Sequence, residues 1–399
     1  MAAWENNEEI KLFQEYLRIP STHPDVDYEP CVEFLKRQAQ NLGLPIRIYH
    51  PTDPKKPTVI ITWTGTQPEL PSIVLNSHMD VVPVYPEKWT HPPFGAEIDS
   101  KGRIFARGTQ DMKSVGMQYL AAIRALKKEG KRFKRTIHIM FAADEEIGGK
   151  SGMAKFVPTD DFKALNVGFA LDEGIASPNE TFDVFYAERS IWFILFHISG
   201  NAGHGSLLHE NTVGVKLRYI IDRMMDFREA EVKKLANNSS LNLGNVTTVN
   251  LTRVQGGILN NIVPPKLMVS FDVRLALDVD HQQFIKQLEK WCEEAGGGIE
   301  ITYESKEPYV PPTPIDDSNI YWKAFKGSLD SLGLKSRTLI FPGATDSRYI
   351  RAAGIPAIGF SPMNNTPVLL HDNDEYIDAD IYLKGIEIYK TIIPNIANA

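Results

Sequence analysis

The sequence predicts an α/β protein: a domain built on a mixed sheet and interrupted by a smaller inserted domain. Three observations carry this. Helical and strand-like stretches alternate from residue 8 to 187 and again from 318 to 394, the pattern of a sheet with helix-covered faces. Between these regions, residues 190–303 read strand, helix, strand, strand, helix, strand, the ferredoxin-like βαββαβ order, which is a complete two-layer unit. Pro308, Pro311, Pro312 and Pro314 then mark a linker before the first pattern resumes. The bounds are therefore expected at 1–189, 190–304 and 305–399, the first and last parts forming one domain.

Residues 8–18 and 30–42 have helical apolar spacing, and β-prone runs follow at 57–63, 72–77 and 103–106. Residues 112–129, MKSVGMQYLAAIRALKKE, join an apolar stripe to a basic end that suits the helix dipole. Strands are expected at 135–142, 166–171 and 182–187. The inserted unit has strands at 190–199, 246–254, 266–275 and 299–303, with helices at 211–235 and 280–295. A helix near 318–330, strands at 337–341 and 356–360, and a helix at 378–394 close the chain.

A net charge of −7 without a basic block argues against nucleic-acid or membrane-surface binding. No run approaches the roughly 18 apolar residues of a membrane span. The start, MAAWENNEEIKLF, has acids where a signal peptide has a basic segment. The two cysteines, Cys31 and Cys292, make neither a disulfide framework nor a cysteine-based zinc site. A cytoplasmic enzyme is the expectation.

Five stretches carry the chemistry, each at an expected strand end or in the loop after it, the edge of an α/β sheet where sites form. In SHMD (77–80), His78 and Asp80 are two apart on a strand tip and share a face; imidazole ligates zinc and a nearby carboxylate orients it. In ARGTQDMK (106–113), Asp111 precedes a helix, as either its N-cap or a carboxylate bridging two cations. In ADEEIGG (143–149), Glu145 and Glu146 follow a strand and precede paired glycines that turn the chain sharply. One glutamate could ligate a metal while its neighbour acts as general base. In LDEG (171–174), Asp172 or Glu173 is a further ligand, and in LLHDNDE (369–375) His371 enters an acidic loop. Singly each stretch is weak. Together they favour a mixed histidine and carboxylate site for Zn²⁺, Co²⁺ or Mn²⁺, catalytic rather than structural. His138 and His197 read as core residues, and His23, His50, His91 and His281 as residues in polar surroundings that need no special role.

In order and over nearly the whole chain, SHMDVVP, GxxDMK, DEExGG and the late histidine resemble metallopeptidase family M20, its aminoacylase branch above all, through FALDEGIA (169–176), FYxERS (185–190) and FSPMNxTPVLLHD (360–372). The resemblance implies that His78, Asp111 and Glu173 hold one zinc and that Asp111, Glu146 and His371 hold a second, Asp111 bridging. It implies Asp80 as the residue orienting His78 and Glu145 as general base. The inserted domain would be a dimerisation (lid) domain, and His204 of Gly203-His204-Gly205 would cross into the partner's site of a homodimer to steady an oxyanion. Asn261, Arg274 and Arg348 would bind the substrate carboxylate, with Arg189 and Arg351 as structural ion-pair partners. The expected activity is zinc-dependent hydrolysis of N-acyl-L-amino acids, with an M20 dipeptidase or carboxypeptidase as the alternative and a metal-free scaffold as the rival of another class.

Overall fold

The computed structural model describes residues 4–399. The chain divides into two compact units: one runs to Ala187 and adds Pro311–Leu339 and Thr345–Ala399, the other is Glu188–Val310 with Ile340–Ala344.

The first unit is organised by an eight-stranded mixed sheet, in the order Ile46–Tyr49, Thr58–Trp63, Ile137–Ala142, Ser72–His78, Val167–Asp172, Ala357–Phe360, Phe182–Glu188, Ser336–Phe341. Ser72–His78 runs parallel to both its neighbours, and Ala357–Phe360 runs parallel to Val167–Asp172. All residues of Ser72–His78 and Ile137–Ala142 are buried, as expected for parallel strands covered on both faces. Alternation sorts their side chains. Ile73, Leu75, Ile137, Ile139 and Phe141 join the larger core, under helices that include Lys113–Lys128 and Ala379–Asn398. Val74, Met140 and Ala142 face the opposite way, onto Met153, Phe156 and Ile350.

The chain leaves Ser72–His78 toward Ile137–Ala142 on one side and leaves Val167–Asp172 toward Ala357–Phe360 on the other. The tips of these two adjacent strands therefore flank a topological switch point, where a crevice opens beyond the carboxyl ends of the strands. His78 and Asp172 are the last residues of the two strands.

The second unit is a four-stranded antiparallel sheet in the order Thr248–Gly256, Lys266–Leu275, Ser190–Ser199, Ile299–Lys306, which is ferredoxin-like. Trp192, Ile194, Phe196 and Ile198 alternate with residues of the other face. They pack with Val269, Phe271 and Val273 against Ile220 and Met224 of helix Val213–Ala236 and Phe284 and Leu288 of helix His281–Glu294. A two-stranded ribbon pairs Gly203–His204 with Ile262–Val263. Both cysteines are free and buried, and no helix among the described residues is long and apolar enough to cross a membrane.

Candidate metal and catalytic centre

Six groups meet at the switch point. His78, 1% exposed, donates from Nδ1 to the main-chain carbonyl of Asp80 at 2.8 Å. That bond leaves Nε2 free to present a lone pair. Nε2 lies 3.0 Å from Asp111 Oδ1 and 3.7 Å from Glu173 Oε2. The other oxygen of Asp111, Oδ2, faces a different histidine, His371, at 3.2 Å, and His371 Nε2 is 3.1 Å from Glu146 Oε2. Asp111 thus stands between two half-sites, one oxygen directed to each. It does not cap the following helix: the N-cap is Met112, with no side-chain bond.

The donor set fits metal ions. Ligand atoms of His78, Asp111 and Glu146 lie within 4.8 Å of one another, as do those of His78, Glu145 and Glu173. Glu146 Oε1 is buried and has no hydrogen-bond partner among the described residues. Imidazole with carboxylate oxygen suits a Zn²⁺, Co²⁺ or Mn²⁺ class of ion.

The electrostatics describe the same excess of acid. Burial and the charge of Glu173 push the Glu145 carboxyl well up, and burial with Asp111 pushes Glu173 up as well. Glu146 rises to about 7 through burial and the Asp111 charge. Burial opposes ionisation of Asp111, but His371 and His78 outweigh it and hold the carboxyl far below the usual range. Hydrogen bonds to Asp111 and Glu146 raise His371 to about 10. A divalent cation would relieve the repulsion among these carboxylates.

The loops are held by groups outside the cluster. Asp80 is fully buried, and its carboxylate accepts the amides of Glu145 at 3.2 Å and Glu146 at 3.0 Å. The carboxylate lies 3.7 Å from His78 Nδ1; it is the Asp80 carbonyl that accepts the imidazole N–H. Its other partner is His23 Nε2, 2.8 Å away. This corrects the expectation that His23 has no special role, because a polar stretch in sequence becomes a buried one once it lies on a strand tip. Glu375, also fully buried, accepts from Arg107 Nη1 at 2.7 Å, Gln110 N at 2.6 Å and the amide of Gly108, and so pins the Asp111 loop. Nothing in the local sequence singles out Glu375 from the acids around it. Asp172 spends both oxygens on Asn76 Nδ2 and Ser347 Oγ, at 2.9 and 2.8 Å, whereas Glu173 is the one that reaches His78. Asp346, 1% exposed, has neither carboxylate oxygen partnered among the described residues.

Arg348 lies in the first unit, but its Nη2 donates to the Gly148 carbonyl at 2.8 Å, bracing the Glu145–Gly149 turn. His204 and Asn261 come together in the second unit: His204 pairs with Ile262, and Gly205 N donates to the Asn261 carbonyl at 2.7 Å. Arg274 is not with them. It faces Ile191 at the start of Ser190–Ser199, while Lys266 faces Ser199 at its end. Eight residues of strand separate those ends by about 27 Å. Arg274 holds Asp272 through two bonds, 2.7 and 2.9 Å. Arg189 has no ion pair of the expected kind among the described residues; it donates to the carbonyls of Val246 and Pro342. Arg351 donates to the Ala357 carbonyl.

The sequence profile described as Peptidase family M20/M25/M40 matches residues 74–395. The chain belongs to this family. Mouse Aminoacylase-1 is 50% identical over 391 residues, covering 98% of this chain and 95% of that protein. Aminoacylase-1 of Dictyostelium discoideum is 42% identical, with all of both chains covered. Among solved structures, the M20 family metallo-carboxypeptidase Sso-CP2 of Sulfolobus solfataricus has the same fold, with a TM-score of 0.75 at 19% identity, covering 98% of this chain and 99% of that one.

Proposed function

We propose that this protein hydrolyses N-acyl-L-amino acids, N-acetylated aliphatic ones such as N-acetyl-L-methionine among them, to a carboxylate and a free L-amino acid. The observation that carries this reading is the two-sided Asp111 cluster with Glu145 beside it, in a chain 42 to 50% identical to proteins named Aminoacylase-1. His78, Asp111 and Glu173 would hold one Zn²⁺, and Asp111, Glu146 and His371 a second. When bound, the ions supply Lewis acidity that polarises the amide carbonyl and makes water a better nucleophile at neutral pH.

The chain's residues do the rest. Glu145 takes the proton of the attacking water and later delivers it to the leaving amine nitrogen. His204 donates to the developing oxyanion, and Asn261, Arg274 and Arg348 are the groups for the substrate carboxylate. The working form is a homodimer in which His204 of one subunit serves the site of the other. Two features support it. His204 and Asn261 lie in the segments that follow the end of the four-stranded sheet away from Arg274. Leu208 and Ile258, beside them in sequence, are almost wholly exposed, an apolar surface suited to a partner. The buried free thiols suit the cytoplasm.

The test is turnover of N-acetyl-L-methionine before chelation, after it, and after zinc is restored, with methionine dipeptides alongside. Chelator-sensitive release of methionine, faster than dipeptide cleavage, is the expected result. Dipeptide cleavage alone would move the substrate class, and absence of bound metal would overturn the reading.

A further inference from the structure

Glu145 and Glu146 are consecutive, yet one has to face a water and the other a metal. The turn that separates them is not one the chain adopts freely. Asp144, just before, has φ +61°, a left-handed conformation unfavourable for a residue with a Cβ. Inside the turn, Gly149 N donates to the Asp144 carbonyl at 2.8 Å; groups outside it add to that hold.

Two side chains from residues 21–28, between the first two helices, do so. The Tyr28 hydroxyl accepts from Asp144 N at 2.9 Å and donates to Asp144 Oδ1 at 2.8 Å, closing a ring around the left-handed residue. Lys56 Nζ reaches the same Oδ1 at 2.8 Å. His23 Nε2 meets Asp80 Oδ2 at 2.8 Å, and the Asp80 carboxylate in turn receives the amides of both Glu145 and Glu146. All three residues, His23, Tyr28 and Asp80, are buried. The segment is itself fixed to the strand tip: Ser21 Oγ donates to the Met79 carbonyl at 2.6 Å, Val81 N to the Ser21 carbonyl at 2.8 Å, and His23 N to the Val81 carbonyl at 3.2 Å. Strand tip, segment and acid turn are thus one hydrogen-bonded block.

We propose that His23 and Tyr28 are positioning residues for the general base: His23 aims the Asp80 carboxylate at the Glu145 and Glu146 amides, and Tyr28 locks Asp144 so that the two glutamates diverge. This rests on the reading of Glu145 as base. Neither residue is among the groups proposed to hold metal or substrate. Loosening either shifts Glu145 relative to the water it deprotonates, a loss felt in the chemical step and not in ground-state binding.

The discriminating pair is His23→Gln and His23→Asn. Both are neutral amides. The glutamine amide extends to where Nε2 lies and can still donate to Asp80, while the asparagine amide ends near the Nδ1 position and cannot. Tyr28→Phe removes one oxygen and is the third variant; it carries the test if His23→Asn does not fold. The readouts are kcat and KM with N-acetyl-L-methionine, metal content and melting temperature, with Glu145→Gln as reference. His23→Asn and Tyr28→Phe are expected to lose about tenfold or more in kcat with KM within about twofold and metal content unchanged, and His23→Gln to stay within about threefold of wild type. Equal kcat for the Gln and Asn variants, or a loss confined to KM or metal content, overturns the proposal while an inactive Glu145→Gln leaves the base assignment standing. An active Glu145→Gln overturns both.

Discussion

The tip of the large sheet and the tip of the small one are both short polar stretches at strand ends, yet they are built differently. At the large sheet the segments around the cluster are fixed by buried acids with partners of their own: Asp80 with His23, Glu375 with the Asp111 loop, Asp172 with Ser347 and Asn76. At the small sheet His204 is exposed, bonded to Ser206 two residues away and carried by a two-residue ribbon. The first is a cluster braced by buried hydrogen bonds, with donors suited to a cation. The second has groups suited to a substrate but no enclosure of its own. The contrast teaches that the proposed metal groups and the proposed substrate groups are built in different ways, so variants should separate them.

The largest effect should come from Glu145→Gln, which keeps shape and hydrogen bonding but cannot carry a proton. A loss of about a thousandfold or more in kcat is expected, with metal content unchanged by elemental analysis. Loss of metal instead would show that Glu145 is a ligand and would collapse the distinction between base and ligand set.

The next prediction contrasts the edge of the large sheet with its interior. His138 lies mid-strand, next to the strand of His78, with Nδ1 2.9 Å from Thr62 Oγ1 and no acid among the causes of its shift. Burial lowers its pKa to about 4, whereas carboxylates overcome burial and raise that of His78. In the native protein His138 stays neutral where the unfolded chain, with a pKa of about 6.5, takes up a proton. The stability it allows is therefore complete above about pH 6.5 and falls as pH drops toward 4, by about 3 kcal/mol. Denaturant unfolding at pH 7 and pH 4.5 should show that difference shrinking in His138→Asn; an unchanged difference would locate the acid sensitivity in the cluster.

Much of this was legible in sequence because it is local or periodic. Strands 190–199 and 266–275 fall at the expected bounds, since alternation with a buried face leaves no second register. The candidate ligands stand out because each sits in a short motif of acids or histidine, at a strand end or in the loop beyond it. What was missed depends on distant partners. Strand Ile46–Tyr49 is four residues long and exists through its pairing with Thr58–Trp63. Helix Ser347–Ala352 is short and buries two arginines, Arg348 and Arg351, so it carries no apolar stripe to read. The last helix runs past Pro394 to Asn398 because Asn395 is tied to Ser328 and Ile396 is buried. His23 and Asp80 are 57 residues apart, Gln110 and Glu375 265; no local pattern announces such pairs.

His204→Asn sharpens the contrast from the other side. Removing an oxyanion donor typically costs about a hundredfold in kcat, and because His204 lies in the second unit, metal content should not move. A fall in bound zinc would mean that the small sheet takes part in the metal centre.

The smallest effect is the most informative about assembly. If each site draws Glu145 from one subunit and His204 from the other, a mixed dimer of Glu145→Gln and His204→Asn chains contains one site with both residues mutated and one with neither. Unfolding and refolding the two inactive proteins together at equal amounts yields mixed dimers as about half of the population, each with one working site of two. Activity should then return to about a quarter of wild type. Neither variant refolded alone should recover, which separates complementation from refolding itself. Were each subunit to use its own His204, every site in the mixture would carry one lesion and the activity would stay at the mean of the two parents. The quarter recovery is thus tied to the placement of His204 in the ribbon that follows the end of the four-stranded sheet away from Arg274, and its absence would require His204 to serve the site of its own chain.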